Sequence, residues 1–512
     1  MRIDRRSLIA LSVLGPVAAL AAPAAAMSRQ DPATVDLVRL AWADVGVPTP
    51  FRVSTAGPGG AVLLTLIYDT LTWKDEHGII PWLASEWNAS ADGREYTFTI
   101  SFQARWHDGQ PLTAADVAFS FDYYAKHPYR WTSVAVVESA TVLASDQVKI
   151  RLTQPYAPFL EEVAGSVPIV PQHVWAQVAD PATYQGADAS VGSGPFKLAE
   201  YRSADGAYRL GANTDYFHGT VLVKEFQQLN TPAQSTIQAV QQGDLDLALS
   251  TDASVKSLFG SDSRMKVFDT PPQSIVRLAV NTERAPLDRK EVRQAIAYAL
   301  DRAQIASVIT KDEPVIGDGV IPPGSPWFNP NVPTYSFDPA KARKLLGGQS
   351  YTIELLADPS SREPELMEPM LKNAGINLVT RRVDGKTRAQ LLREGNFQLG
   401  LVGHIGVAGD PDFLRRWYAG EESNDFAQGS IFHDPEYDRL AHQEATILDP
   451  AQRKTVVFQM QTILADELPT IVLYDRRFYW IYDSTKLTPM NTWGGLMNGI
   501  PFVYNKLVFL SR

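Results

Sequence analysis

Ile237-Gln-Ala-Val-Gln-Gln-Gly243-Asp-Leu-Asp-Leu-Ala-Leu249 and Ala389-Gln-Leu-Leu-Arg-Glu-Gly395-Asn-Phe-Gln-Leu-Gly-Leu401 repeat one local design in two distant parts of the chain. In each, a helical stretch runs into a glycine, the residue that most readily takes the left-handed conformation closing a helix. Apolar residues at alternate positions follow at once, as in a strand. The repetition predicts a helix-to-strand unit used in two lobes. Taken alone it leaves open the alternative that any α/β protein holds several such junctions.

Working outward, Tyr351-Thr-Ile-Glu-Leu-Leu356, a helix from about Glu365 to Asn373, and Ile376-Asn-Leu-Val379 compose a β-α-β unit. Parallel strands joined in this way need a right-handed crossover, so a largely parallel sheet covered by helices is expected there. Asp288 with Glu291 at the third position reads as a helix cap, followed by the apolar stripe Val292, Ala295, Ile296, Ala299 and Leu300. Asp301 with Gln304 starts the next helix. Tyr96 to Phe102 alternates apolar and hydroxyl side chains, as a half-buried antiparallel strand does, and Thr113 with Asp116 marks a helix start.

The 512 residues are too many for one core, so two or three domains are expected. A net charge of -10 argues against nucleic-acid binding, which needs a basic face. With no cysteine in the chain, thiolate metal sites, disulfides and a cysteine nucleophile are ruled out. At the N-terminus, Arg2, Arg5 and Arg6 precede an apolar stretch from Leu8 to Ala22, and Ala24-Ala25-Ala26 follows. This order reads as an export signal over residues 1–26, and the pair Arg5-Arg6 suggests the twin-arginine type.

Several motifs, in order, resemble the family-five extracellular solute-binding proteins of ABC importers. They are Ile67-Tyr68-Asp69-Thr70-Leu71, Pro81-Trp82-Leu83-Ala84, Trp106-His107-Asp108-Gly109 through Val117, Val191-Gly192-Ser193-Gly194-Pro195-Phe196, Asn213-Thr214-Asp215-Tyr216-Phe217, Asn281-Thr282 and Gly409-Asp410-Pro411-Asp412. The resemblance implies a two-lobed type II periplasmic binding protein fold of α/β class, with a hinge and an additional subdomain inserted in the first lobe. It places lobe I at 27–275 and 484–512, the insertion at about 57–190 and lobe II at 276–483. It further implies a periplasmic receptor, not an enzyme, that closes on a ligand and presents it to a membrane permease, acting as a monomer without a cofactor. Lacking cysteine, it is expected to be free of a cysteine-borne lipid anchor.

The ligand is read from the loops expected at the cleft. Dipeptide receptors of the family carry an aspartate three residues before the Asp-Pro pair; Val407 stands there, beside Gly406, and cannot neutralise an ammonium. Asp410, with Pro411 next, reads as a helix cap. Nickel receptors use an arginine where this chain has Gly165-Ser166-Val167, so Ser166 is the candidate contact at that point. Their tryptophan is matched by Trp131, beside Arg130, which could hold a ligand carboxylate. His404 is a possible ligand contact, with hydrogen bonding favoured over metal ligation. Trp42 and Trp493 complete the candidates, each able to stack on a ligand or simply to pack. A short peptide or similarly sized polar solute is the favoured ligand; a nickel or metal chelate and a sugar or opine stay open, as does, from another class, a secreted hydrolase. No phosphate loop, HExxH or GxSxG motif is present.

Overall fold

The computed structural model describes residues 34–511 apart from 42–43, 53–57, 130–131, 233–234, 273, 314, 318, 406, 408, 421–429 and 489–504. Residues 1–26, read above as an export signal, lie outside the described residues. β1 (Val35–Ala41) opens a seven-stranded sheet, which the chain then leaves for an excursion. The excursion holds the hairpin of β2 (Thr72–Asp75) and β3 (Gly78–Pro81) and a four-stranded antiparallel sheet of β4 (Ala84–Ala89), β5 (Glu95–Ile100), β6 (Val137–Ala144) and β7 (Gln147–Leu152). The chain returns as β8 (Phe196–Arg202), β9 (Ala207–Ala212), β10 (Val223–Leu229), β11 (Leu247–Ser250) and β12 (Met265–Asp269). A second, five-stranded sheet follows, made of β13 (Ser274–Val280), β14 (Tyr351–Ala357), β15 (Ile376–Arg382), β16 (Leu399–Ile405) and β17 (Thr470–Arg476). β18 (Tyr479–Asp483) rejoins the first sheet, between β11 and β12.

The two helix-to-strand repeats fall in different sheets. The helix Thr236–Gln242 ends at Gly243 with φ +81°, and β11 then pairs parallel to β1. The helix Gly385–Arg393 is followed by Gly395 at φ +66°, and β16 pairs parallel to β14. Asp301 caps the helix Arg302–Thr310 by accepting the Gln304 N–H at 2.9 Å. Asp116 takes both the N–H and the hydroxyl of Thr113, at 2.9 and 3.1 Å, and the N–H of Gln172 at 3.0 Å. Its one carboxylate therefore starts the helix Ala114–Lys126 and ties it to the segment behind.

Four expectations need correction. The second sheet is mixed: β14 pairs parallel to β15 and β16, whereas β13 pairs antiparallel to β16 and β17. β13 carries the chain into this sheet and β17 carries it out, so β13 must run against its neighbours. The strand at 96–102 stops at Ile100; Tyr96, Phe98 and Ile100 are buried, and Phe102 is 86% exposed. The helix expected at Asp288 is Lys290–Ala299, with Arg289 at its cap position and no capping side chain. Asp410 is not the cap of the helix Phe413–Tyr418, because Asp412 occupies that position. Instead Asp410 accepts the Asp412 N–H at 2.9 Å and forms a two-pronged pair with Arg453 at 2.6 and 2.7 Å.

Most of the ordered signature motifs meet in a single buried cluster in the first lobe. The Asp69 carboxylate accepts from Trp82 Nε1 (2.7 Å), Tyr216 OH (2.8 Å), Ser193 Oγ (2.9 Å) and Lys506 Nζ (2.6 Å). Both Asp69 and Lys506 are fully buried, and the ammonium also sits 4.3 Å from the Trp73 ring centroid. Burial alone would raise the Asp69 carboxyl, but the Lys506 charge and the donated hydrogen bonds hold it below the usual carboxylate range. Asn505 adds a bond from Trp73 Nε1 at 2.8 Å, so the C-terminal segment is built into the first lobe.

Candidate ligand-binding site

The chain crosses between the two large sheets twice, between Asp269 and Ser274 and between Arg476 and Tyr479. β1, β10 and β11 run parallel in one sheet, and β14, β15 and β16 in the other. In both sheets the carboxyl ends of these strands lie at the edge from which the crossings leave: Asp269 pairs with Tyr479, and Ser274 with both Ile405 and Arg476. Ligands of open α/β sheets bind in the crevice outside such strand ends. Here the carboxyl ends of both sets of strands lie on the side of their sheets from which the two crossings leave.

Trp42, Arg130, Trp131, Gly406 and Trp493 lie outside the described residues. Ser166 is 5% exposed and donates to the Glu161 carbonyl at 3.3 Å. Val407 is fully buried and packs in a cluster with Ile275, Leu414 and Trp417. His404 lies between the Arg277 guanidinium, whose Nη2 is 2.8 Å from His404 Nε2, and the Trp417 ring, 3.9 Å from centroid to centroid. Arginine can only donate, so Nε2 accepts and a neutral ring carries its proton on Nδ1. Arg277 also donates to Ser430 Oγ and Thr470 Oγ1. The described neighbours of His404 therefore make it a hydrogen-bonding residue. Among the described residues no group of three or more His, Cys, Asp and Glu side chains is disposed to hold a metal ion.

Sequence reasoning missed the polar network that joins the inserted subdomain to the second lobe. Tyr156 OH donates to Asp412 Oδ2 at 2.7 Å, Arg416 Nη2 to Glu162 Oε2 at 3.0 Å, and the Ala157 N–H to the Ala445 carbonyl at 2.7 Å. Asp412 also takes Arg415 at 2.7 and 2.9 Å. Behind it, Arg453 bridges Asp410 and Glu444, the latter at 2.8 Å. Burial pushes Glu162 up to about 7, with Arg416 opposing, and raises Glu444 well above the usual carboxylate range. Asp412 is held far down, because Arg415, Arg416 and the Tyr156 hydroxyl outweigh the effect of its burial. No local pattern signals these pairs, since their members are more than 250 residues apart in sequence where they cross between the lobes, as for Tyr156 and Asp412 at 256.

A second network lies beside the crossings. Lys311 pairs with Asp252 at 2.6 Å, and Lys256 reaches both Asp312 (3.3 Å) and Asp269 (3.6 Å). Tyr479 donates to Asp312. These contacts join the end of the helix Arg302–Thr310 to the strand ends of the first sheet.

Residues 78–425 match the model of the bacterial extracellular solute-binding proteins, family 5. A probable di/tripeptide-binding protein 5 of Pseudomonas aeruginosa is 27% identical over 76% of this chain and 80% of its own length. The periplasmic binding protein DppA of Helicobacter pylori, in complex with the peptide STSA, superposes with a TM-score of 0.80 at 19% identity, covering 92% of this chain and 98% of that one. NikA of Brucella suis, in complex with Fe(III)-EDTA, gives 0.78 at 22% identity, covering 87% and 95%. These likenesses show the two-lobed periplasmic binding protein fold, and the family match spans more than half of the sequence. The chain is a member of the family 5 bacterial extracellular solute-binding proteins.

Proposed function

We propose that this protein is the exported, periplasmic solute receptor of an ABC importer, and that it captures a short peptide or similarly sized polar organic solute between its lobes. The observation that supports the reading is that the strand ends of both large sheets lie at the edge from which the two chain crossings leave. A ligand touching both lobes gains its full set of contacts only when they close, so binding favours the closed form by the difference in affinity. A membrane permease can then recognise the closed shape. The names of its relatives, a di/tripeptide-binding protein among them, support a peptide. Dividing the chain into lobe I at 27–275 and 484–512 and lobe II at 276–483 belongs to this proposal, as does a cleft lined by Trp42, Arg130, Trp131, Ser166, His404, Gly406, Val407 and Trp493.

Native mass spectrometry of protein purified from its host, with extraction and identification of the retained molecule, tests the reading. A bound peptide or polar solute of similar size is expected. A retained metal chelate or sugar would replace the ligand assignment, and turnover of peptides or glycosides by the purified protein would overturn the receptor reading.

A further inference from the structure

Arg476 ends β17, one residue before the chain crosses to the first lobe. Its guanidinium reaches over the neighbouring strand, where Nη2 donates to Ser274 Oγ at 3.0 Å. It continues to β16, and the room there comes from Gly403, since a Cβ at that position would lie 3.2 Å from Arg476 Nη2. The Phe478 ring flanks it, 5.3 Å from Cζ. Arg476 Nε is buried and has no hydrogen-bond partner.

Three other arginines meet carboxylates: the buried Arg293 pairs with Glu467 and the buried Arg453 with Asp410 and Glu444, and the half-buried Arg416 pairs with Glu162. Among the described residues Arg476 forms no such pair. The nearby Glu363 is engaged by Tyr474 OH at 2.8 Å, and Asp475 Oδ2 takes the Gly317 N–H at 2.7 Å. A half-buried guanidinium with no counter-charge among the described residues is favourably placed to take one, and its planar fork matches a carboxylate with two parallel N–H bonds. The group sits at the strand-end edge of the second sheet, backed by a hydroxyl and an aromatic ring, over a glycine that leaves it space.

We propose that Arg476, positioned by Ser274 and Gly403, binds a carboxylate of the transported solute, so that this receptor selects anionic or zwitterionic ligands. The inference rests on the proposed crevice reading and deepens it. Ligand is stripped from the full mature chain by unfolding and refolding, and binding of trialanine and of trialanine amide is measured by calorimetry, alongside native mass spectrometry of host-purified protein. The expected result is a retained solute bearing a carboxylate, tighter binding of the free acid than of the amide, and a loss of roughly ten- to hundredfold in Arg476→Gln. Arg476→Lys should recover part of that loss. The ligand-free Arg476→Gln protein should melt no lower than the parent, because an uncompensated half-buried charge has gone.

A retained solute without an acidic group, or unchanged binding in Arg476→Gln, overturns the carboxylate assignment and leaves the crevice standing. A lowered melting point of ligand-free Arg476→Gln with unaltered ligand affinity makes the residue a structural one and likewise overturns it. If parent and variant bind no small molecule at all, in host-purified or refolded form, the crevice reading fails first and the inference falls with it.

Discussion

Tyr156 and Asp412 meet through one 2.7 Å hydrogen bond that spans 256 residues of sequence and joins the inserted subdomain to the second lobe. The acceptor is a buried carboxylate that also holds Arg415, so the tyrosine completes an arrangement fixed from the other side. Such contacts keep the lobes together in the conformation described, and each is a point where the balance between open and closed forms can be moved.

Replacing Tyr156 with Phe removes the hydroxyl and little else. A hydrogen bond to a charged group contributes about 1.5–3 kcal/mol. The ligand-free Tyr156→Phe protein should therefore populate more open forms, with a larger radius of gyration by small-angle scattering. Hydrogen exchange at the Ala157 amide, whose bond to the Ala445 carbonyl crosses at the same place, should quicken. An unchanged scattering profile together with unchanged exchange would show that this contact does not govern opening.

Glu162 gives the same boundary a pH dependence. Its carboxyl is raised from 4.5 to about 7, so between these values the folded protein holds a proton that the unfolded chain has released. Stability from this group is therefore lost as pH rises through that window, with a slope of at most about 1.4 kcal/mol per pH unit for one proton. His107 acts in the opposite sense: burial lowers it to about 4, so the folded state loses stability as pH falls below 6.5. Comparing parent and Glu162→Gln removes the His107 contribution. The difference in denaturation midpoint should change between pH 5 and 7 and level off above pH 8; a flat difference refutes the assignment.

The Asp69–Lys506 pair should be sensitive to loss of one partner. Lys506→Met leaves a buried carboxylate without its cation, at a cost of about 3–5 kcal/mol. The double variant Asp69→Asn with Lys506→Met should regain part of that loss. Trp73 and Trp82, both beside the ammonium, report the first-lobe transition by fluorescence during urea unfolding. Equal midpoints for the parent and Lys506→Met would refute the role given to the pair.

Gly192 accounts for the first glycine of the Gly-Ser-Gly-Pro turn. A Cβ there would lie 1.9 Å from the Ile67 carbonyl oxygen, a backbone atom that cannot swing aside. Gly192→Ala should destabilise by about 1–3 kcal/mol or more through overpacking. Gly211, in β9, has open space at the same position, so Gly211→Ala should be tolerated. Similar urea midpoints for the two variants would contradict this reading.

What could be read from the sequence were the features whose cause is local. Gly243 and Gly395 closed their helices because a left-handed residue is needed there, and Asp301 capped because its acceptor stands three residues from a donor. The ordered motifs identified the family, although Asp69, Trp82, Ser193 and Tyr216 serve a buried ion pair. Asp410 had the local pattern of a cap, yet its carboxylate answers to Arg453, 43 residues away. Nothing in the neighbourhood of Tyr156, Glu162 or Arg476 announces its partner, because those partners come together only when the lobes and strands are assembled. The mixed second sheet was missed for a related reason: strand direction there follows from where the chain must enter and leave.

Lys506 stands six residues before the last residue of the chain, yet it supplies the cation for a carboxylate laid down at residue 69. During synthesis the first lobe must wait, with Asp69 lacking its counter-ion, until the whole second lobe and the tail have been made. The first lobe therefore cannot lock segment by segment along the chain: its buried pair closes only across the residues of the second lobe.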